Sequence, residues 1–407
     1  MSDTIGSVMH TTDSPLATTI LKRGVAQVLP SPEGLAALMS QRPITVYLGI
    51  DPTGSLLHLG HAVVLRKLQQ FAQLGHKVIL LIGNGTVRIG DPTGRDSTRP
   101  TLTDEQIEAN FQTWKEQAST VLDFSMIEIR HNGDWLDKLN FADIVKLLAK
   151  TTVQQLIERD MFQDRLKSGL PIFGHEIIYP LLQGYDSVAM NVDLEIGGTD
   201  QTFNMMMGRE LQRSYNNHEK WVLTTPIING TDGRKMSKSY NNYVALNESP
   251  NDMYGKLMRI SDEVIMEYFS VLTDVADSEI ESMKQAMQNG ENPITFKKKL
   301  AHTITSWLHS TAAADQAANY FQQTIQDKNI PEEIVTIPVS LPCTTLQLVK
   351  AGAPQLSNSE ARRLITQRAV SLQPQNLVLD DEHASIEIGN GQVVKIGKRT
   401  YFRVALS

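Results

Sequence analysis

Two short apolar runs, ITVYLGI (44–50) and KVILLIG (77–83), bracket a helical stretch, and this order leaves the chain few ways to fold. Both runs are rich in β-branched or aliphatic residues and read as buried strands. After the first, DPTGS (51–55) breaks the chain. From His58 the inward positions recur at helical spacing through His61, Val64, Leu65, Leu68, Phe71 and Ala72, and Gly75 stops the helix. A strand, a helix and a second strand at this spacing form a βαβ unit, so the sheet is parallel and the crossover right-handed. Ligands of such sheets bind beyond the carboxyl ends of the strands, where residues 51–61 lie.

The rest of the chain is less constrained. Residues 104–170 mix apolar and charged residues at helical spacing and are expected to be helices. DLEIGG (193–198) reads as a strand entering a glycine turn, followed by the helix QTFNMMMGRELQRS. Residues 250–325 are again helical in pattern. NIPEEIVTIPVSLPC (329–343) is punctuated by proline and reads as a linker. LSNSEARRLITQRAV (356–370) has the Ser/Asn start and first-turn Glu of a capped helix, and the strand-like runs VVKIG and TYFRVAL follow it.

With 407 residues the chain exceeds one core and is expected to fold as two or three domains. No run of about 18 apolar residues is present, so no membrane segment is expected. The N-terminus lacks the basic and apolar pattern of a secretory signal. Cys343 is the sole cysteine, which excludes an internal disulfide and fits a reducing compartment. The net charge of −7 argues against wholesale nonspecific binding of nucleic acid. From Leu341 onward, however, eight Lys/Arg face five Asp/Glu, so this segment carries +3 and the remainder −10. A basic tail on an acidic body hints at a polyanionic partner, though a solvated surface has the same composition.

Chemistry is most concentrated in HLGH (58–61). The first amides of a helix lack intrahelical partners and carry the positive end of the dipole, so a polyphosphate is stabilised there. His58 and His61, three apart, add donors on one face. Gly60 leaves room for a flat base against the backbone. A metal pair, with Asp51 as a speculative third ligand, or two surface histidines would leave the same pattern. A second segment, TDGRKMSKS (231–239), sets Lys235 and Lys238 on a polar loop that could close over phosphates; alone, such a loop is ordinary surface.

Together and in this order, HLGH and KMSKS resemble the signature pair of class I aminoacyl-tRNA synthetases. YLGIDPT (47–53), GDPTGR (90–95), YPLLQGYDSV (179–188) and GGTDQ (197–201) narrow the likeness to the bacterial tyrosyl-tRNA synthetases, of the type in which TFN follows GGTDQ. The resemblance covers residues 18–407. It implies an α/β fold: a flexible N-terminal tail (1–17), a Rossmann-like parallel-sheet catalytic domain (18–245), an α-helical domain for the anticodon arm (246–328), a linker (329–340) and a small α+β RNA-binding module (341–407). It also implies a cytoplasmic homodimer acting on L-tyrosine, ATP and tRNA(Tyr), with Mg²⁺ accompanying ATP and no structural metal or tightly bound cofactor.

By the same resemblance, His58, His61, Lys235 and Lys238 are the catalytic residues. Gly49, Asp51, Gly60, Gly198 and Asp200 join them in binding ATP, with Asp200 on the ribose hydroxyls. Tyr47 and Asp186 meet the substrate phenol, Tyr179, Gln183 and Asp91 its ammonium, and Gln201 its carboxylate. Arg362, Arg363 and Arg368 would meet RNA phosphates, which position rather than specify. No protein nucleophile is required, because an amino acid carboxylate attacks the α-phosphate directly and catalysis is positioning plus charge stabilisation.

The chain departs from the family pattern at Asn84, where an acid is frequent, at Arg95, where a lysine is sometimes found, and at Tyr240, where leucine is commoner. A tryptophan-specific relative would lack the Tyr47–Asp186 pair and the RNA-binding tail. An idle RNA-binding relative would have lost the histidines and lysines.

Overall fold

The computed structural model describes residues 19–93, 102–323, 334–374, 377–397 and 400–406. The expected tail (1–17) and Arg95 lie outside the described residues. The chain divides into two compact units, at residues 1–310 and 311–407.

In the first unit the elements run β1 (Gln27–Leu29), α1 (Pro32–Gln41), β2 (Thr45–Ile50), α2 (Leu59–Gln73), β3 (Lys77–Ile82), α3 (Asp104–Ala118), β4 (Ile127–His131), α4 (Gly133–Leu136), α5 (Phe141–Leu148), α6 (Val153–Ile157), α7 (Asp160–Lys167), α8 (Gly174–Met190), β5 (Leu194–Gly198), α9 (Thr202–Asn216), β6 (Trp221–Thr225), α10 (Pro250–Leu257), α11 (Ile265–Leu272), α12 (Asp277–Gln288) and α13 (Pro293–Leu308). The sheet order is β1-β6-β5-β2-β3-β4, with β2 to β6 mutually parallel and β1 antiparallel at the edge. Strands β2 and β3 fall where their apolar runs predict. Helix α2 begins one residue past His58 and stops before Gly75, whose φ of +81° is the left-handed turn a helix end favours.

The stretch 104–170 is not wholly helical, because β4 lies within it. IEIRH alternates apolar and polar residues, but only Ile127 of β4 is fully buried. An edge strand burying so little carries a weak alternation signal, and the helical periodicity around it dominates. The helices of 246–328 also do not stand apart as a domain. Helices α10 to α13 belong to the first unit, α11 packs on α2, and the Tyr268 hydroxyl donates to the carbonyl of Asn229 at 2.5 Å.

In the second unit, α14 (Thr311–Phe321) precedes β7 (Val335–Val339), α15 (Thr345–Gly352), α16 (Asn358–Thr366), β8 (Val370–Gln373), β9 (Leu377–Val378), β10 (Val393–Ile396) and β11 (Thr400–Leu406). Their sheet has the order β7-β11-β10-β8-β9. The expected linker 329–340 therefore contains a strand: β7 pairs parallel with β11 over Val335–Val339. Proline misleads here because an edge strand tolerates Pro338, whereas a central strand would lose a ladder bond. Helix α16 starts as expected, with Ser357 and Glu360 exchanging a reciprocal capping box. Leu348, Val349, Ala361, Ile365, Val394 and Phe402 form the core of this unit.

Candidate active site

The chain adds β3 and β4 on one side of β2, then returns to add β5 and β6 on the other. Such a reversal opens a crevice at the carboxyl ends of the strands. The crevice holds a cavity of about 260 Å³ lined by four carboxylates, Asp51, Asp91, Asp186 and Glu195, together with Gly49, Tyr179, Gln183 and Gln201. A second cavity, of about 660 Å³, is lined by His58, Gly60, His61, Asp200, Lys235 and Lys238. His61, Asp91, Gly198, Gln201 and Lys238 line both.

The acidic cavity is tightly cross-linked. Asp186 accepts from Trp135 Nε1 at 2.8 Å and Asn132 Nδ2 at 3.2 Å. Burial pushes the Asp186 carboxyl well above the usual carboxylate range, against the pull of those two donors. The Tyr179 hydroxyl donates to Asp51 at 2.8 Å, and Thr86 donates to the other Asp51 oxygen at 2.8 Å. Gln201 donates to Asp91 at 2.8 Å, while the Asn204 amide donates to both Gln183 and Gln201. The side chains expected around the amino acid are thus brought together, with one exception. Tyr47 is fully buried but not on the cavity surface, and its hydroxyl is held by Ser187 Oγ at 2.8 Å. Asp51, expected among the nucleotide residues, sits in the acidic cavity instead.

At the other end, the two histidines form the helix start. His58 is the cap of α2: its Nδ1 accepts from the Gly60 amide at 3.2 Å, and His61 Nδ1 accepts from the His58 amide at 3.2 Å. Both rings therefore carry their proton on Nε2, leaving that nitrogen as the remaining donor. The rings are 3.9 Å apart. Burial, then the neighbouring ring and the two lysines, holds His58 down to about 2; burial and Lys238 hold His61 to about 4. Gly60 has a local reason as well, because a Cβ there would lie 3.0 Å from the His58 ring.

The lysine loop is fastened at both ends. Met236 is buried and its amide donates to Ile228 O at 2.9 Å; beyond the loop, Leu59 N donates to Val244 O at 2.9 Å, tying the chain to the start of α2. Asn242, which sequence reasoning missed, organises the turn: it accepts from the Ser237 amide at 2.8 Å and donates to Asp232 and to the carbonyls of Arg234 and Lys235. Lys235 donates to Asp200 at 3.0 Å, a half-exposed pair of small worth that a phosphate can replace. Asn84 does not line the cavity; its side chain accepts from the Gly133 amide at 2.8 Å. Tyr240 is exposed, 4.3 Å from the Arg234 guanidinium. Asn132 and Trp135, at the start of α4, and Thr86, in the turn after β3, belong to no motif that would have marked them in the sequence.

Among the described residues no group of three or more His, Cys, Asp or Glu could hold a metal ion, and no helix is long and apolar enough to cross a membrane. In the second unit Arg362, Arg363 and Arg368 are all exposed. Arg362 pairs with Glu382 at 2.7 Å and Arg368 with Asp380 at 3.6 Å.

A parallel sheet with a histidine-capped helix and a lysine loop at its switch point defines a class: residues 39–326 match the family described as tRNA synthetases class I (W and Y), and the chain belongs to it. The tyrosine–tRNA ligase of Thermotoga maritima is 44% identical over 95% of this chain and 96% of its own. That of Cupriavidus pinatubonensis is 45% identical over 98% and 96%. A C-terminally truncated mitochondrial tyrosyl-tRNA synthetase of Coccidioides posadasii shares the fold, with a TM-score of 0.61 and 23% identity, covering 75% of this chain and 92% of that one. Within the class, the chain is a member of the tyrosine–tRNA ligases.

Proposed function

We propose that the acidic cavity seats L-tyrosine and the lysine-lined cavity seats ATP, so that the tyrosine carboxylate attacks the α-phosphate and pyrophosphate leaves. The observation that carries this reading is the continuity of the two cavities through Asp91, Gln201 and Lys238. Asp186 accepts from the phenol, with Tyr47 behind it. Asp91, Tyr179 and Gln183 face the ammonium, and Gln201 stands toward the carboxylate. Asp200 receives the ribose hydroxyls, and Gly49 and Gly198 let backbone approach the ligand. The two Nε2–H groups and the lysines meet the phosphates, stabilising charge that grows as pyrophosphate departs. Magnesium arrives with ATP as part of the nucleotide. A tRNA 3′ hydroxyl then takes the tyrosyl group. Exchange of pyrophosphate into ATP, run with tyrosine, tryptophan and phenylalanine, tests the assignment: exchange with tyrosine supports it, and preference for tryptophan sinks it.

A pH dependence follows from the histidines. Both are neutral in the folded protein at pH values where free imidazole is half charged, so the unfolded chain binds more protons below about 6.5. Stability is fully present above that value and falls with pH toward the folded values of about 4 and 2. A triphosphate against the rings favours their charged forms. ATP binding is therefore expected to take up protons at pH 5.5 but not at pH 8, measured by calorimetry in two buffers of different ionisation enthalpy. In the absence of uptake at pH 5.5, the rings do not face the phosphates.

The second unit is read as the RNA-binding module. Replacing Arg363 by alanine is expected to weaken tRNA binding severalfold and reduce the salt slope by about one. Filter binding across a salt series checks this; an unchanged slope places the RNA elsewhere. A second copy of the chain covers the apolar side chains left exposed between α5 and α8, among them Phe141 (85% exposed), Val153 (61%) and Phe173 (47%). The protein works in the cytoplasm.

A further inference from the structure

One asparagine joins the two amides of the acidic cavity. Asn204, in the first turn of α9, is fully buried, and its amide nitrogen donates to Gln183 Oε1 at 3.0 Å and to Gln201 Oε1 at 3.1 Å. Both glutamines line the cavity. The far end of each meets a carboxylate: Gln183 Nε2 donates to Glu195 at 3.2 Å and Gln201 Nε2 to Asp91 at 2.8 Å. Asn204 Oδ1 is buried as well and has no hydrogen-bond partner. A buried acceptor left unpaired is destabilising, and proteins keep such groups chiefly where function requires them. Here the requirement is for the two N–H groups on the other end of the amide.

The polarity of this bridge is fixed from both sides. Lys220, just before β6, is fully buried, and its ammonium donates to Glu195. On the other side the Arg159 guanidinium donates to Thr93 Oγ1 at 2.6 Å, which leaves the Thr93 proton for Asp91, 2.6 Å away. Ammonium and guanidinium groups only donate, and carboxylates only accept. Each glutamine therefore turns its nitrogen to its carboxylate and its oxygen to Asn204, and only the Asn204 nitrogen can serve two oxygens. Hydrogen bonds to charged groups are the strong ones, and a buried chain of them is cooperative. Each glutamine keeps one N–H and one oxygen lone pair for a guest.

We propose that Asn204 is a positioning residue for the charged end of the amino acid. It fixes which end of each glutamine donates and which accepts, so that ammonium and carboxylate enter in one orientation, with the carboxylate toward the phosphates. This inference deepens the reading of the acidic cavity as the tyrosine seat and rests on it.

The test compares the KM for tyrosine with the inhibition constant of tyramine, which keeps the phenol and the ammonium but lacks the carboxylate. Both come from pyrophosphate exchange, and neither depends on the active fraction of a preparation. Asn204→Leu keeps the volume and removes the donor. Asn204→Asp keeps the shape but sets a carboxylate against two glutamine oxygens; if the glutamines turn, their oxygens face Asp91 and Glu195 instead. The preference for tyrosine over tyramine is expected to fall about tenfold in Asn204→Leu and further in Asn204→Asp, with the KM for ATP unchanged. A residue that only fills space leaves the preference at its wild-type value in both. Should Asn204→Asp fail to fold, Asn204→Leu decides alone. An unchanged preference, alongside an Asp186→Asn variant that has lost selectivity for tyrosine over phenylalanine, overturns the bridge and leaves the cavity standing. An Asp186→Asn variant that keeps its selectivity overturns the cavity as the tyrosine seat.

Discussion

Replacing Asp186 by asparagine is expected to lower kcat/KM for tyrosine by about 10²–10³-fold while leaving the low activity with phenylalanine nearly unchanged. Asparagine keeps the size of the side chain but exchanges one carboxylate oxygen for an NH₂ group that can only donate. The buried carboxylate already accepts from Trp135 and Asn132. In the variant the amide faces at least one of those donors, and the cavity loses the acceptor that distinguishes a phenol from a bare ring. The loss should fall mainly on KM, because the contact is made equally in ground and transition states. Steady-state exchange assays with both amino acids check it. Equal losses for tyrosine and phenylalanine would falsify the role given to Asp186, since general damage to the site spares neither.

Lys238→Ala is expected to slow adenylate formation by about 10²–10³-fold in single-turnover measurements, with tyrosine affinity unchanged. Lys238 lines both cavities, and its charge helps to keep both histidines neutral. Its place at the junction puts it where the α-phosphate must lie if tyrosine and ATP occupy the two cavities. Charge develops there during displacement, so the effect belongs to kcat rather than to binding of the amino acid. Lys235 is farther from the junction and already paired with Asp200, so Lys235→Ala should cost less. Equal rates in wild type and Lys238→Ala would leave the lysine loop with no part in the chemistry.

The residues that bear chemistry were largely legible because reaction requirements dictate their type and order. Phosphate at a helix start calls for donors such as His58 and His61; growing charge calls for mobile cations such as Lys235 and Lys238. Their supports were not legible. Asn242 is one asparagine among several in a polar loop, and nothing local marks it as the residue that holds Ser237, Asp232 and Lys235 together. Tyr47 was legible as a site residue but not as one held behind the cavity wall, because its partner Ser187 is 140 positions away. Strands β4 and β7 were read as helix and linker because an edge strand buries few of its residues, so neither alternation nor the absence of proline is enforced.

By itself the sequence determined the parallel βαβ core, the histidine-capped helix and the lysine loop. Each is written in a contiguous run whose hydrophobic period or turn chemistry admits one local structure. Only the tertiary structure decided how the cavity wall is wired: which carboxylate meets which donor, that Lys220 lies sealed beside Glu195, and that Tyr47 sits behind the wall against Ser187. Those choices join Trp135 to Asp186 across 51 positions and Lys220 to Ser187 across 33. A buried polar group takes whichever partner the packed sheet and helices bring within about 3 Å, and no run of neighbouring residues encodes that distance.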